Sequence, residues 1–138
     1  MLRNRHVAVW IAAIVFFVLG ALWYTALQTA WLAGIGKTLE QLTLEQGESP
    51  LPYAVGFAAI LVACYTLDWL LDRTQGRSAG AGVRLGAVVA LGFVGAMLAL
   101  NYGFESRSPL LWLINAGYAL VGLCIAGGII GGRSRPSP

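Results

Sequence analysis

GVRLGAVVALGFVGAMLALNY, residues 82–102, carries one charge, Arg84, in its first turn and none after it. At ~1.5 Å rise per residue a helix of this length reaches ~30 Å, the thickness of a bilayer's hydrocarbon core. In a chain of 138 residues no protein interior is large enough to hide so much apolar surface. Reading outward, Gly103–Pro109 leads into a second such stretch at 110–130, and two more lie upstream at 53–71 and 7–27. The expected fold is all-α and integral to a membrane. It is a bundle of four transmembrane helices forming one domain over 1–138, with no room for a soluble catalytic domain.

Composition agrees. Hydrophobic residues make up 58% of the chain and charged residues 11%, where a soluble domain carries about 25% charged. Mean hydropathy is +0.73. The net charge of +3 is spread over the flanks of the spans rather than over one face, so nucleic acid is not an expected partner. Cys64 and Cys124 fall inside spans, and the one histidine, His6, is far from both in sequence. No metal site and no cofactor is expected from that set. Arg3, Arg5 and His6 ahead of an apolar run resemble a signal peptide. The run is too long for one, however, and it holds Trp23 and Tyr24 with no small-x-small cleavage site after it. It is read as a retained span.

Topology follows from the positive charges. Lys and Arg outside the spans, with Arg84 just inside the third, alternate 2, 1, 3, 1, 2 along the chain: Arg3 and Arg5, then Lys37, then Arg73, Arg77 and Arg84, then Arg107, then Arg133 and Arg135. Placing both termini in the cytoplasm puts seven of these nine charges inside, against two for the reverse. The expected location is a bacterial inner (cytoplasmic) membrane. Trp23, Tyr24, Trp31, Tyr53, Tyr102 and Trp112 then mark the outer interface, and Trp10, Tyr65 and Trp69 lie toward the inner one.

Residues 28–52 are long for a helix hairpin. Leu32, Ile35, Leu39 and Leu42 recur at helical spacing, and Thr38-Leu39-Glu40-Gln41 fits a capping box. Gly47 and Pro50 end the pattern. A short amphipathic interfacial helix is expected at 38–46, lying across the mouth of the bundle.

Lipid tails do not drive helices together, so close backbone approach and interhelical hydrogen bonds must do it. Gly82 with Gly86, Gly92 with Ala96 and Gly95 with Ala99 mark the third span, and Gly127 and Gly128 with Gly131 and Gly132 mark the fourth. Spans three and four are the expected tight pair, and the surplus of small faces points to a homo-oligomer.

Polar residues inside a membrane are candidates for function. An outer-face group collects Tyr24, Gln28 and Trp31 from span one, Asn101, Tyr102 and Glu105 from span three, and Asn115 and Tyr118 from span four. It reads either as a hydrogen-bonded plug or as a pocket for a small ligand or lipid. An inner group holds Asp68 and Asp72, with Arg73 or Arg84 as the expected ion-pair partner. Nothing in the sequence assembles a nucleophile, a base and an oxyanion site.

Gly20-Ala21-Leu22-Trp23-Tyr24 followed by Trp31 and Gly36, then Asn101-Tyr102-Gly103-Phe104-Glu105-Ser106-Arg107 before Trp112, Asn115, Ala116, Gly117 and Tyr118, resembles the domain of unknown function (DUF) 1761 family over nearly the whole chain. The resemblance implies a small, mostly bacterial membrane protein of four spans and no established activity. It carries over no catalytic residue. The expected function is therefore non-enzymatic: helix association in the lipid bilayer, as a homo-oligomer or as an accessory to other membrane subunits. A small-solute carrier or pore built on the outer polar group is the alternative.

Overall fold

The structure, a computed structural model, describes residues 2–74 and 77–133. Arg135, used in the charge count, lies outside them, as does the side chain of Arg3. Helix α1 runs Leu2–Ala26 without a proline or any interior charge beyond its first turns. A break at Leu27 separates it from α2, Gln28–Ile35. Gly36 closes α2 in the left-handed region, φ +70°, with its own N–H and that of Lys37 returning to the carbonyls of Ala33 and Leu32. Only a residue without a Cβ adopts that cap cheaply.

Helix α3, Leu39–Gln46, starts at the capping box that the sequence predicts. Thr38 Oγ1 accepts from the Gln41 N–H at 3.1 Å, and the Gln41 side chain accepts from the Thr38 N–H at 3.0 Å. Leu32 and Ile35, which share a helical spacing with Leu39 and Leu42 in the sequence, belong to a separate helix, α2, as do Gln28 and Trp31, which the sequence reading placed with span one. The Gly36 cap is the physical reason: it splits one apolar periodicity between two axes.

Helices α4 (Leu51–Arg73), α5 (Ala79–Val89), α6 (Ala96–Phe104) and α7 (Pro109–Gly131) complete the chain. Ser78 and Ser108 cap α5 and α7 through their hydroxyls. A π-helical segment, Ala90–Gly95, joins α5 to α6 in one continuous rod. Four helices are long and apolar enough to cross a membrane: Asn4–Ala26, Leu51–Arg73, Ala79–Phe104 and Pro109–Gly131. Large apolar side chains stand exposed on all of them, among them Val18 at 50%, Val62 at 66%, Phe93 at 68% and Leu113 at 57%. Water would not tolerate that surface, and lipid does. The chain is a multi-pass membrane protein with both ends of the bundle polar.

Helix α7 is the central element and the most buried. It packs closest on α5, where glycine meets glycine. A Cβ on Gly82 would overlap the Gly127 carbonyl, one on Gly86 the Leu123 carbonyl, and one on Gly131 the Ser78 carbonyl. This is backbone-to-backbone contact of the kind small residues permit. A Cβ on Gly128 would meet only the Val83 side chain, at 3.2 Å, and one on Gly95 would lie 3.2 Å from the Ala90 carbonyl and 3.8 Å from the Trp112 ring. A Cβ on Gly92 would meet nothing within 4 Å beyond its own helix, so the residue closes no contact between helices of the chain. On the other flank, α1 lays Phe16 over Gly122, and α4 packs against α1. Val9, Ala12, Ala13, Leu67, Leu123 and Ala126 form the centre of the core.

Candidate functional site

The chain runs α1 toward the end that carries α2 and α3, α4 back, α5–α6 out again and α7 back. The start of α1 and the end of α7 therefore share the opposite end, the terminal end. Near the α3 end, three helices bring polar groups together. Tyr24 on α1 donates its hydroxyl to Asn115 Oδ1 on α7 at 2.8 Å, and Asn115 Nδ2 donates to the Tyr102 hydroxyl on α6 at 2.8 Å. Tyr118, one turn further along α7, donates to the Phe16 carbonyl at 3.0 Å and stacks on the Phe16 ring with centroids 5.1 Å apart. Its ring also meets Tyr24 edge-on, and Tyr24 meets Trp31 of α2 in the same way. Indole N–H groups lock the surround: Trp23 donates to the Ile114 carbonyl at 3.0 Å and Trp112 to the Gly95 carbonyl at 2.8 Å.

Of the eight residues expected in this group, the structure joins five: Tyr24, Trp31, Tyr102, Asn115 and Tyr118. Gln28 and Asn101 are exposed, with no side-chain hydrogen bond among the described residues, and exposed Glu105 pairs with its neighbour Arg107. Asn101 and Glu105 do share a helix face, but that face looks away from the bundle.

The π segment explains why. In an unbroken α-helix the face that holds Gly82, Gly86 and Ala90 returns near 94, 97 and 101. The segment absorbs one extra residue, so the buried Gly95, the half-buried Leu98 and the half-buried Tyr102 take those places instead. Periodicity counted at 3.6 residues selects Asn101, whereas the fold presents Tyr102.

At the terminal end a second group forms. Asp68, 1% exposed, accepts from Arg5 of α1 and from Arg77 of the α4–α5 connection. Asp72 receives the other nitrogens of the same two arginines, each at 2.6 Å. The expected partners, Arg73 and Arg84, are not in it. Arg73 lies over the Trp69 ring, 3.9 Å from its centroid, and Arg84 is exposed. Two forked guanidiniums against two carboxylates neutralise anions that a helix C-terminus would otherwise repel. They also staple the start of α1 to the end of α4. Breaking such a pair by removing one partner leaves a buried charge, which costs ~3–5 kcal/mol. The sequence held a signal for Arg5: with an even number of spans it begins at the end where α4 finishes. Beside it, His6 Nδ1 lies 2.7 Å from the Tyr65 hydroxyl.

Chemically, both groups spend their polar atoms largely on each other, with Arg77 Nε buried and without a partner among the described residues. The α3-end group is a relay of neutral hydrogen bonds without a carboxylate, thiol or imidazole in it. The terminal group is a closed set of two cations and two anions.

With this geometry in view, comparison with known proteins gives one match. The family model described as a protein of unknown function (DUF1761) matches residues 7–131. The chain belongs to that family. The match covers all but the first six and last seven residues, so both polar groups lie within it, save Arg5 and His6. No curated protein and no solved structure matches this DUF1761 chain.

Proposed function

We propose that this DUF1761 protein acts without catalysis, by helix association in a bacterial inner membrane, as a homo-oligomer or as an accessory subunit of a larger assembly. One observation carries the reading. Gly92, Ala96, Ala99 and Gly103 recur at steps of four, three and four, and all are exposed. Nothing lies within 4 Å of a Cβ built on Gly92 or Gly103. The glycines that close α5 on α7 are already used, so this seam is a second one, facing lipid. Small residues at helical spacing let another helix approach closely, which is the main source of helix affinity in a bilayer. The polar cluster of Tyr24, Asn115 and Tyr102 then serves to hold α6 in the phase that presents the seam.

The test is the mass of the protein in lipid nanodiscs, alone and after isolation from native membranes with its neighbours cross-linked. Self-association, or one stoichiometric membrane partner, is expected. Ala96→Leu with Ala99→Leu should abolish it and leave thermal stability unchanged, since neither residue is buried. A monomer without a stoichiometric partner, or an assembly indifferent to both leucines, would overturn the reading.

A further inference from the structure

The π segment is held from outside its own rod. Trp112 of α7 donates its indole N–H to the carbonyl of Gly95, the residue where the segment ends, at 2.8 Å. Asn115, also of α7, donates to the Tyr102 hydroxyl on α6. Helix α6 itself buries no residue, so apolar packing adds little to fix its rotation. If Ala90–Gly95 reverted to α-helix, α6 would turn by ~100° about its axis, the angle of one residue. Val94 would then stand where Gly95 stands, and Asn101 where Tyr102 stands. Asn101 is the residue that gains. It is exposed within the candidate span Ala79–Phe104, with no side-chain hydrogen bond among the described residues, and an unpaired amide is costly in lipid. Facing Asn115, it would have an amide partner. The connection 103–108 is exposed throughout and leaves α6 room to turn. The obstacle lies at Gly95. A Cβ there would lie 3.8 Å from the Trp112 ring and 3.9 Å from the Ala116 Cβ, so the branched side chain of Val94 fits only when the indole gives way. Trp112 thus supplies both the hydrogen bond that keeps the π turn and the bulk that blocks its loss.

We propose that α6 is a rotary element with two registers and that Trp112 is its latch. In the latched register Tyr102 meets Asn115. In the released register the rod is α-helical throughout, Asn101 takes that place, and the seam of Ala96, Ala99 and Gly103 swings by ~100°. The latch therefore governs whether the seam is offered to a partner. That effect on association rests on the function proposed above. The registers themselves do not, because they are read between α6 and α7 of one chain.

The experiment is disulfide trapping of the full chain in lipid nanodiscs, with cross-links within one chain separated by gel mass and located by peptide mass spectrometry. Gly95→Cys with Ala116→Cys traps the latched register, since Cβ atoms 3.9 Å apart suit a disulfide. Val94→Cys with Ala116→Cys traps the released one. The first pair should dominate in the otherwise unaltered chain. Trp112→Phe keeps a ring and removes the donor. It should shift the ratio of the two cross-links ~3-fold toward position 94, the effect of one average interhelical hydrogen bond. Tyr102→Phe, which takes away the acceptor of Asn115, should shift the ratio the same way, and it decides the outcome if Trp112→Phe does not fold. Asn101→Leu should undo either shift. Deleting Gly92 makes the rod α-helical with Gly95 and Tyr102 still facing in, so there Trp112→Phe should leave the ratio as it is. A ratio unmoved by the folded phenylalanine variants would overturn the proposal. So would a shift that Asn101→Leu leaves in place, or one that appears equally without Gly92. The expected shifts in a chain that proves monomeric would support the two registers while removing the association.

Discussion

Asn101 and Asn115 look equivalent as amides in apolar helices, and their surroundings separate them. Asn115 bridges Tyr24 and Tyr102, while Asn101 is exposed. Interhelical hydrogen bonds in membranes average ~0.6 kcal/mol each, so Asn115→Leu should cost about 1 kcal/mol. Asn101→Leu should change stability by less than ~0.5 kcal/mol. Unfolding from a mixed-micelle denaturant titration reads both, and equal losses would contradict the assigned network. Glycines divide the same way. Gly82 abuts the Gly127 carbonyl, and Gly103 has open space around it. Gly82→Ala must push α5 off α7 and should cost ~1–3 kcal/mol. Gly103→Ala should stay within ~1 kcal/mol of wild type, on the stabilising side, because alanine is the better helix former. The same titration measures this pair.

Among the elements, the π segment Ala90–Gly95 decides most. It behaves as a one-residue insertion in an α-helix: the residues beyond it keep the faces they would have in a straight helix one residue shorter. Deleting Gly92, which is exposed and has open space where a Cβ would stand, should therefore regularise the rod and keep Tyr102 opposite Asn115. Deleting Leu100, downstream of the segment, should turn Tyr102 by ~100° and break that contact. A double-mutant cycle between Tyr102→Phe and Asn115→Leu checks both cases. Coupling of ~0.6 kcal/mol should persist without Gly92 and vanish without Leu100. Helix α3 is the contrasting case. Its capping box forms from local sequence alone, with Leu39 52% and Leu44 77% exposed, so its shape needs no tertiary support.

Across the described residues, four candidate spans place the start of α1 and the end of α7 at one end, together with Arg73, Arg77, Arg84 and Arg133. On the positive-charge bias, that end is expected to face the cytoplasm. A C-terminal green fluorescent fusion should fluoresce, and a C-terminal alkaline phosphatase fusion should be inactive. The opposite pair of results would invert the topology. Stability at this scale rests on a central α7 held by glycine contact on one side and by Phe16 over Gly122 on the other, with the Arg5–Asp68 staple closing the terminal end.

Sequence alone determined the solvent, the four spans to within a few residues, the Thr38 cap and the pairing partners of the glycine-rich third and fourth spans. Each depends on composition or on contacts a few residues apart, where hydropathy and local hydrogen bonding act. Only the tertiary structure decided which polar residues meet. Of Asn101 and Tyr102, both expected in the group, only Tyr102 faces in, because a π turn shifts phase by one residue, and no propensity marks where that happens. Arg5 and Arg77 replaced Arg73 and Arg84 because a buried carboxylate takes whichever guanidinium the packing of α1 and the α4–α5 connection delivers to it. Helix α2 escaped the reading because Gly36 divides an apolar repeat that is continuous in sequence but bends in space. Local rules fix elements, and the phase between elements is set by packing across tens of residues.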